Sequence, residues 1–345
     1  MRMKKLLMAL TLPVTAGIPL YAQDTTPQIT QEQATPNANW FSFGPQFGLN
    51  LNARFNGIGH QPATSPGSAT GGGVNRTYGD GFVHVDSSGN AGGATWNWGY
   101  QNASQVSGNT IVMHSVTAPN GSLKAGDDPQ DGFDLAYGHD FGPAPGGKWG
   151  LQGAFDFTAV SINDNQPVTT HGTVISDAFT FEGVVVPDAP YRGSYNGPGP
   201  LLGDSPARTT AAQTVVVTGG RTLDAQVYVL RGGPYYEFKL SERFSGRVGA
   251  GLTLAVADMQ YSFDETLNFG GGNTVRNSGS GSGAEFGAGG YLEAKLLFAM
   301  TDHTSLYFGT QYEYLGNFSH RAANESAQLD MSNTVNILLG VQWNF

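Results

Sequence analysis

Residues 333–345 read NTVNILLGVQWNF. Val335, Ile337, Leu339, Val341, Trp343 and Phe345 are apolar, and Thr334, Asn336, Leu338, Gly340, Gln342 and Asn344 lie between them. A period of two places successive side chains on opposite faces, so this stretch predicts a strand with one greasy face and one mostly polar face. Working outward, Phe41 to Phe55 repeats the design. Phe41, Phe43, Phe47, Leu49, Leu51, Ala53 and Phe55 share one parity, interrupted only by Pro45; Ser42, Gly44, Gln46, Gly48, Asn50, Asn52 and Arg54 share the other. A helix would scatter those polar residues over both faces.

Six more segments alternate in the same way. Phe133, Leu135, Tyr137 and Phe141 form one apolar set, and Trp149, Leu151, Phe155 and Phe157 the next, across a Gly-Pro-Ala-Pro-Gly-Gly turn at 142–147. Tyr228, Leu230, Tyr236, Phe238 and Leu240 precede the turn at 241–243, and Phe244, Val248, Ala250, Leu252, Leu254 and Val256 follow it. Phe286, Ala288, Leu292, Ala294, Leu296 and Phe298 lead into the turn at 301–303, after which come Leu306, Phe308, Tyr312 and Tyr314. Between these hairpins lie four polar stretches rich in Gly, Ser and Asn: 56–131, 163–221, 264–283 and 315–332.

The connections therefore alternate long and short, and aromatic residues cluster toward both ends of the strands. Phe41, Trp149, Phe244 and Trp343 lie near one end, and Phe55, Phe133, Phe157 and Tyr314 near the other. Two aromatic girdles around apolar faces suit a wall that crosses a bilayer, because amphipathic rings favour the interface. On these features residues 40–345 resemble bacterial outer-membrane β-barrel proteins, and in particular small barrels of the OmpA/OmpX type without a peptidoglycan-binding domain. The resemblance implies an all-β, eight-stranded antiparallel up-and-down transmembrane barrel with long extracellular loops and short periplasmic turns. It also implies that Trp343 and Phe345 form the signal that the outer-membrane assembly machinery reads. A soluble lipocalin-like barrel would instead turn the apolar parity inward.

Composition agrees with this plan. The chain has 345 residues, 50 of them Gly, no Cys, 39% hydrophobic and 13% charged residues. Such a chain is short of side chains for a large conventional core, yet its 11% aromatic content argues against disorder. With no Cys, disulfides and thiolate metal sites are excluded. Residues 1–22 read as a signal peptide: Arg2, Lys4 and Lys5, an apolar run from Leu6 to Leu20, then Leu20-Tyr21-Ala22 as a cleavage site. Removing its three basic residues moves the net charge from −10 to −13, which argues against a nucleic-acid partner. Residues 23–38 read as a flexible periplasmic lead-in and 39–345 as the barrel. The expected location is the outer membrane, reached by the general secretory pathway, with membrane lipid as the surrounding partner and a monomer as the expected state.

Chemistry is sparse. The inward parity collects Arg54, Asp134, Asp140, Asp156, Arg231, Glu237, Lys239, Arg247, Glu293, Lys295 and Glu313, a mixed set that pairs within a narrow lumen. A gated ion path is the alternative use of those charges. The loop run Trp96, Trp98 and Tyr100 is a candidate surface for an extracellular ligand, or else packing for the loop. Acidic turns at Asp80 and at Asp127-Asp128-Pro129-Gln130-Asp131 lack EF-hand spacing, so no metal site is assigned. No cofactor motif occurs. Neither His-Glu-x-x-His nor Gly-x-Ser-x-Gly is present. His84, Asp86 and His114 are the residues a rim enzyme would use, but the expectation from the motifs is that the chain is not an enzyme. The expected function is a structural or surface-interaction scaffold, with a narrow porin-like channel as the alternative.

Overall fold

A computed structural model describes residues 38–345 apart from 61–63, 65, 118–120, 127–128, 182–184 and 270–273. The expected signal peptide, all but the last residue of the lead-in, and Asp127 and Asp128 lie outside the described residues. Among the described residues the chain is all-β: 21 strands, two short 3-10 turns and no α-helix.

Eight strands carry the expected hairpins: β1 (Asn39–Leu49), β2 (Gln130–Ala144), β3 (Gly147–Asp164), β4 (Ala207–Lys239), β5 (Phe244–Asn268), β6 (Thr274–Ala299), β7 (Thr304–Tyr314) and β8 (Thr334–Asn344). They pair antiparallel in the order β3-β2-β1-β8-β7-β6-β5-β4, and β3 pairs again with β4 from Gly147↔Phe238 to Asp164↔Arg221. The start of β1 and the last residue of the chain lie side by side. The Asn39 N–H donates to the Phe345 carbonyl at 3.1 Å, and the Phe345 N–H donates to the Asn39 carbonyl at 2.8 Å.

In the lower part of these strands, next to the short turns, the apolar parity faces outward. Phe43, Leu230, Leu252, Leu292, Val341 and Trp343 are all exposed, Leu252 by 77% and Trp343 by 60%. Their neighbours Ser42, Asp134, Gln152, Arg231, Glu293 and Gln342 are buried. This is the reverse of a water-soluble barrel and matches a wall facing hydrocarbon. On β3 the apolar outer face runs from Trp149 to Phe157, about nine residues, and ~9–11 residues of tilted strand cross a bilayer.

Above that belt the polarity inverts without a change of parity. On β4 the buried face continues from Arg231 to Val229, Val227, Ala225 and Leu223, while the outward face becomes Gln226 and Asp224. On β5 the buried face becomes Ala255, Ala257, Met259, Tyr261 and Phe263, and Asp258 and Gln260 face out. On β3 the change comes at Val160 and Ile162, both buried. The upper strands thus follow the rule for water on the outside.

The long connections are not loops of the expected kind. The stretch 264–283, expected as a loop, continues the β5–β6 hairpin up to Asn268↔Thr274. Part of 163–221 is strand in Val168–Thr180 and in the upper half of β4, and these pair from Val168↔Val217 to Ala178↔Ala207. A strand at Thr110–Thr117 then adds to that edge. Eight is therefore too low as a strand total. The Gly, Ser and Asn content that marked these stretches as loops records the absence of large side chains, which backbone ladders do not require.

The expected single strand from Phe41 to Phe55 is also broken. Asn50 takes φ 64°, a left-handed conformation that Asn tolerates better than most residues. Beyond it the strand Asn52–Ile58 leaves β1 and joins a four-stranded sheet, ordered 317–322, 325–330, 52–58 and 121–126. Leu51, Ala53, Phe55 and Ile58 from this cap sheet pack with Phe318, Ala327 and Leu329 onto the inverted upper wall in one apolar core. A second core, around Trp98, Ile111, Met113, Phe179 and Phe181, holds the outer segments.

Candidate functional site

The lumen is built in three layers, each set by which inward-facing residues share a height. The lowest centres on Arg247 of β5. Its guanidinium lies 4.0 Å from the Trp40 ring centroid and 4.9 Å from that of Tyr235, an arrangement that holds a cation between aromatic faces. It donates to Glu237 Oε2 from Nη2 at 2.5 Å and to Gln342 Oε1 from Nη1 at 2.8 Å. Lys148 Nζ joins the layer, 2.8 Å from Asp140 and 3.4 Å from Glu237. The Trp40 indole donates to the Tyr235 hydroxyl at 2.9 Å, tying β1 across the lumen to β4.

Above it stands a cluster around Arg231. Its Nε donates to Asp156 Oδ2 at 2.7 Å, its Nη1 to Glu293 Oε2 at 2.7 Å, and its Nη2 to Asp134. Lys295 Nζ lies 3.1 Å from Glu293 and 3.7 Å from Asp134. The Tyr307 hydroxyl donates to Asp134 Oδ1 at 3.2 Å, and Gln152 Nε2 donates to the Tyr291 hydroxyl at 3.2 Å. All of these side chains are buried. Arg suits the centre because its planar fork serves several carboxylates at once. Three carboxylates face two cations, so nearly every charge has a partner within the cluster.

The third layer is the apolar core beneath the cap sheet. A buried polar network around Arg221 crosses it: the Arg221 Nε donates to Glu265 Oε1 at 2.6 Å and its Nη1 donates to Asp164 Oδ2 at 2.9 Å. Nearby, the Tyr261 hydroxyl donates to Glu325 Oε2 at 2.7 Å. Burial, and then the charge of Glu265, push the Glu325 carboxyl up to about 8.

The structure brings together most of the charges expected in the lumen and corrects three. Asp134, Asp156, Arg231, Glu293 and Lys295 form one cluster, and Glu237 pairs with Arg247. Arg54 is not in the lumen. It lies beyond the break at Asn50, exposed on the outer face of the cap sheet. Lys239 is exposed at the lower end of β4, past the last layer. Glu313 is buried, but among the described residues no cation forms an ion pair with it, and its Oε1 has no hydrogen-bond partner.

Sequence reasoning set Tyr291 and Tyr307 on the polar parity without giving them a role, left Trp40 and Tyr235 unplaced, and put Arg221 in a loop. The signal for Trp40 and Tyr235 was parity: each sits on the polar side of its strand's alternation.

In the outer segments, Trp98 and Tyr100 are buried and do not offer a free surface. The Trp98 indole donates to the Pro200 carbonyl at 2.8 Å, and the Tyr100 hydroxyl donates to the Pro187 carbonyl. Trp96 is half-buried, with its indole donating to the Tyr195 carbonyl at 3.1 Å. These rings pack the loop, and the expectation that they form a ligand surface is corrected for Trp98 and Tyr100.

Of the residues suggested for a rim enzyme, His114 Nδ1 lies 2.7 Å from Asp80 Oδ2. That hydrogen bond, against the opposing effect of burial, holds the imidazole pKa above its usual value. His84 Nε2 is 3.1 Å from Thr77 Oγ1 instead, and Asp86 accepts from the backbone N–H groups of Ser88, Asn90 and Trp96. The three therefore serve separate contacts. Among the described residues no group of three or more His, Asp or Glu side chains is placed to hold a metal ion.

No protein-family model matches the chain, and no curated protein does. Among solved structures it is similar to Ail, the attachment invasion locus protein of Yersinia pestis, at 12% identity over 89% of this chain and 99% of that one, with a TM-score of 0.29. It is also similar to OprG of Pseudomonas aeruginosa, at 9% identity over 90% and 97%, with a TM-score of 0.33. A third is the protease OmpT of Escherichia coli, at 9% identity over 90% and 98%, with a TM-score of 0.29. These are outer-membrane β-barrel proteins. One of them is an enzyme, which corrects the expectation that the chain is not one: missing sequence motifs do not make this class non-enzymatic.

Proposed function

We propose that β1 to β8 form a closed eight-stranded barrel in the outer membrane, of the OmpA/OmpX type in its lower part. Its lumen is sealed, and its role is that of a surface scaffold carrying a folded extracellular structure. The observation that carries this reading is the stacking of three filled layers: the Arg247 stack, the buried Arg231 cluster and the apolar core under the cap sheet. An ion would have to separate the Arg231 cluster, where breaking a buried pair costs about 3–5 kcal/mol, and then cross a core without water partners. The channel alternative is the less favoured for that reason. The same reading places the short turns and both described chain ends on the periplasmic side, and the cap sheet and second core outside the cell. It also keeps Trp343 and Phe345, on the exposed face of the seam strand, as the contact for the assembly machinery.

Planar-bilayer conductance of the refolded protein tests this, once heat-modifiable gel mobility has shown a folded barrel. Silence is the expected result. Steady, discrete channels from the folded protein would refute the sealed lumen.

A further inference from the structure

Between the Arg231 cluster and the apolar core lies a level of the lumen whose polar side chains are not satisfied by the protein. Gln46 of β1, Gln311 and Glu313 of β7, and Thr334 and Asn336 of β8 all face inward and are at most 2% exposed. Among the described residues, Gln46 Oε1, Glu313 Oε1, Thr334 Oγ1 and both terminal atoms of Gln311 and of Asn336 have no hydrogen-bond partner. Buried polar atoms are nearly always paired, so seven unpaired ones at one level call for a physical cause.

The strand register places these groups together. Gln311 is the cross-strand partner of Asn336, and Glu313 that of Thr334. Partners of this kind stand about 4.5–5.5 Å apart at Cβ. Gln46 lies diagonal to Asn336 across the β1–β8 seam. Asn336 and Arg231 are both within electrostatic reach of the Glu313 carboxyl. On the lower side, Gln311 is opposite Glu293 of the Arg231 cluster. On the upper side the group meets the core at Gly48, where a Cβ would stand 2.8 Å from Leu51 Cδ1 and 3.4 Å from Asn336 Oδ1.

Water satisfies hydrogen bonds but supplies no charge. Among the described residues Glu313 has no ion-pair partner, and the cluster beside it already sets three carboxylates against two cations. A buried unpaired charge is costly, so a positive charge is the component this level lacks. The donors fix its class. One free carboxylate, three amide oxygens and a hydroxyl make a hard, all-oxygen set with a single negative charge. Tight calcium sites gather more carboxylates, and transition metals favour imidazole or thiolate. We infer that this level of the lumen binds an alkali cation through Glu313, the amide oxygens of Gln46, Gln311 and Asn336, and the Thr334 hydroxyl. The site rests on the closed barrel, which buries these residues, and not on the scaffold role.

The test refolds the full chain into neutral-lipid vesicles in sodium chloride, potassium chloride or choline chloride at equal ionic strength, choline being too large for the site. A ligand that binds only the folded state raises the urea midpoint, so the midpoint should be higher in sodium or potassium chloride than in choline chloride. Protein refolded with radioactive sodium and passed into choline chloride should retain one sodium per chain. Glu313→Gln should retain none and should unfold at the same midpoint in all three salts. In choline chloride it should be at least as stable as the parent, because it removes an unpaired buried charge. Asp264→Asn, a change at an exposed acid paired with Arg276, should keep the dependence on sodium. The inference is overturned if the parent midpoint is the same in all three salts, which would leave water and a protonated Glu313 at this level. It is equally overturned if Glu313→Gln keeps the dependence, or if calcium is needed in place of an alkali cation. Conductance separates this from the sealed lumen: a conducting barrel whose midpoint still depends on sodium through Glu313 keeps the site and loses the seal, and a silent barrel with no such dependence does the reverse.

Discussion

Replacing Arg231 with Ala should be among the most damaging single changes in the molecule. The guanidinium contacts Asp134, Asp156 and Glu293, two of them at 2.7 Å. A unit charge pair at ~4 Å is worth about 4 kcal/mol at an effective dielectric constant of 20, so three contacts give roughly 12 kcal/mol of gross attraction. Desolvating the buried ions offsets most of that, and removing one partner from a buried network typically costs about 3–5 kcal/mol. Here the remainder is three carboxylates with only Lys295 as a counter-charge, so the upper end of that range is expected. Urea unfolding of vesicle-inserted protein, followed by the fluorescence of its five Trp residues, would measure the loss. Arg231→Lys should recover only part of it, since an ammonium is a point charge and cannot serve three carboxylates as a fork does. The triple change Arg231→Met, Asp156→Asn, Glu293→Gln leaves Asp134 balanced by Lys295 and should recover most of the stability. A loss below about 1 kcal/mol for Arg231→Ala would refute the view that this cluster organises the lumen.

Other perturbations have expected outcomes. Glu325, with its carboxyl raised to about 8, holds a proton in the folded cap that the unfolded chain releases near pH 4.5. The folded state binds more protons between those values, so the contribution of Glu325 to stability is fully present below pH 4.5 and is lost as pH rises to about 8, by a few kcal/mol. Glu325→Gln should remove that slope in urea titrations at pH 5 and pH 8.5; an unchanged slope would show that another group causes it. Gly44→Val should prevent closure of the β1–β8 seam, because a Cβ at that position would lie 1.7 Å from the Leu339 carbonyl oxygen. A heat-modifiable band in that variant would contradict the close approach. Changing Trp343 and Phe345 together to Ser should sharply reduce assembled protein in the outer membrane, and normal insertion would remove these residues from the assembly contact. Asn50→Val should destabilise the molecule by about 1–3 kcal/mol through its left-handed backbone, while Asn50→Gly should be tolerated.

The lower wall was legible because a single rule governs it. Where lipid lies outside, period-two alternation assigns every side chain to a face, and Leu339, Val341 and Trp343 took the faces the pattern assigned. The upper wall obeys the opposite rule on the same strands, which a search for one apolar parity misses. A trace of the inversion is visible in the sequence. Val227-Tyr228-Val229-Leu230 and Leu254-Ala255-Val256-Ala257 are apolar on both parities, as a strand must be where the outer face is still in lipid and the inner face has already become core. Such runs mark the upper edge of the membrane band.

Arg54 went wrong for a related reason. The alternation carries on unbroken through Asn50, so nothing in it shows that the chain turns away from the wall there and that the outward side of the new sheet faces water. Trp98 and Tyr100 were placed in a loop because their neighbours are polar, yet the second core draws Ile111, Met113, Phe179 and Phe181 from segments far apart in the chain. No local pattern encodes such a meeting.

Cysteine accessibility in intact cells tests the central claim most directly, since the chain has no Cys of its own. Single substitutions Asp224→Cys above the inversion, Leu252→Cys in the belt and Ser241→Cys in a short turn would be treated with a membrane-impermeant maleimide. Labelling at 224 alone, with 241 reacting only after the outer membrane is opened and 252 remaining protected, is the predicted result. Labelling of Leu252→Cys in a folded barrel, or of Ser241→Cys in intact cells, would contradict a wall that spans the membrane in this orientation.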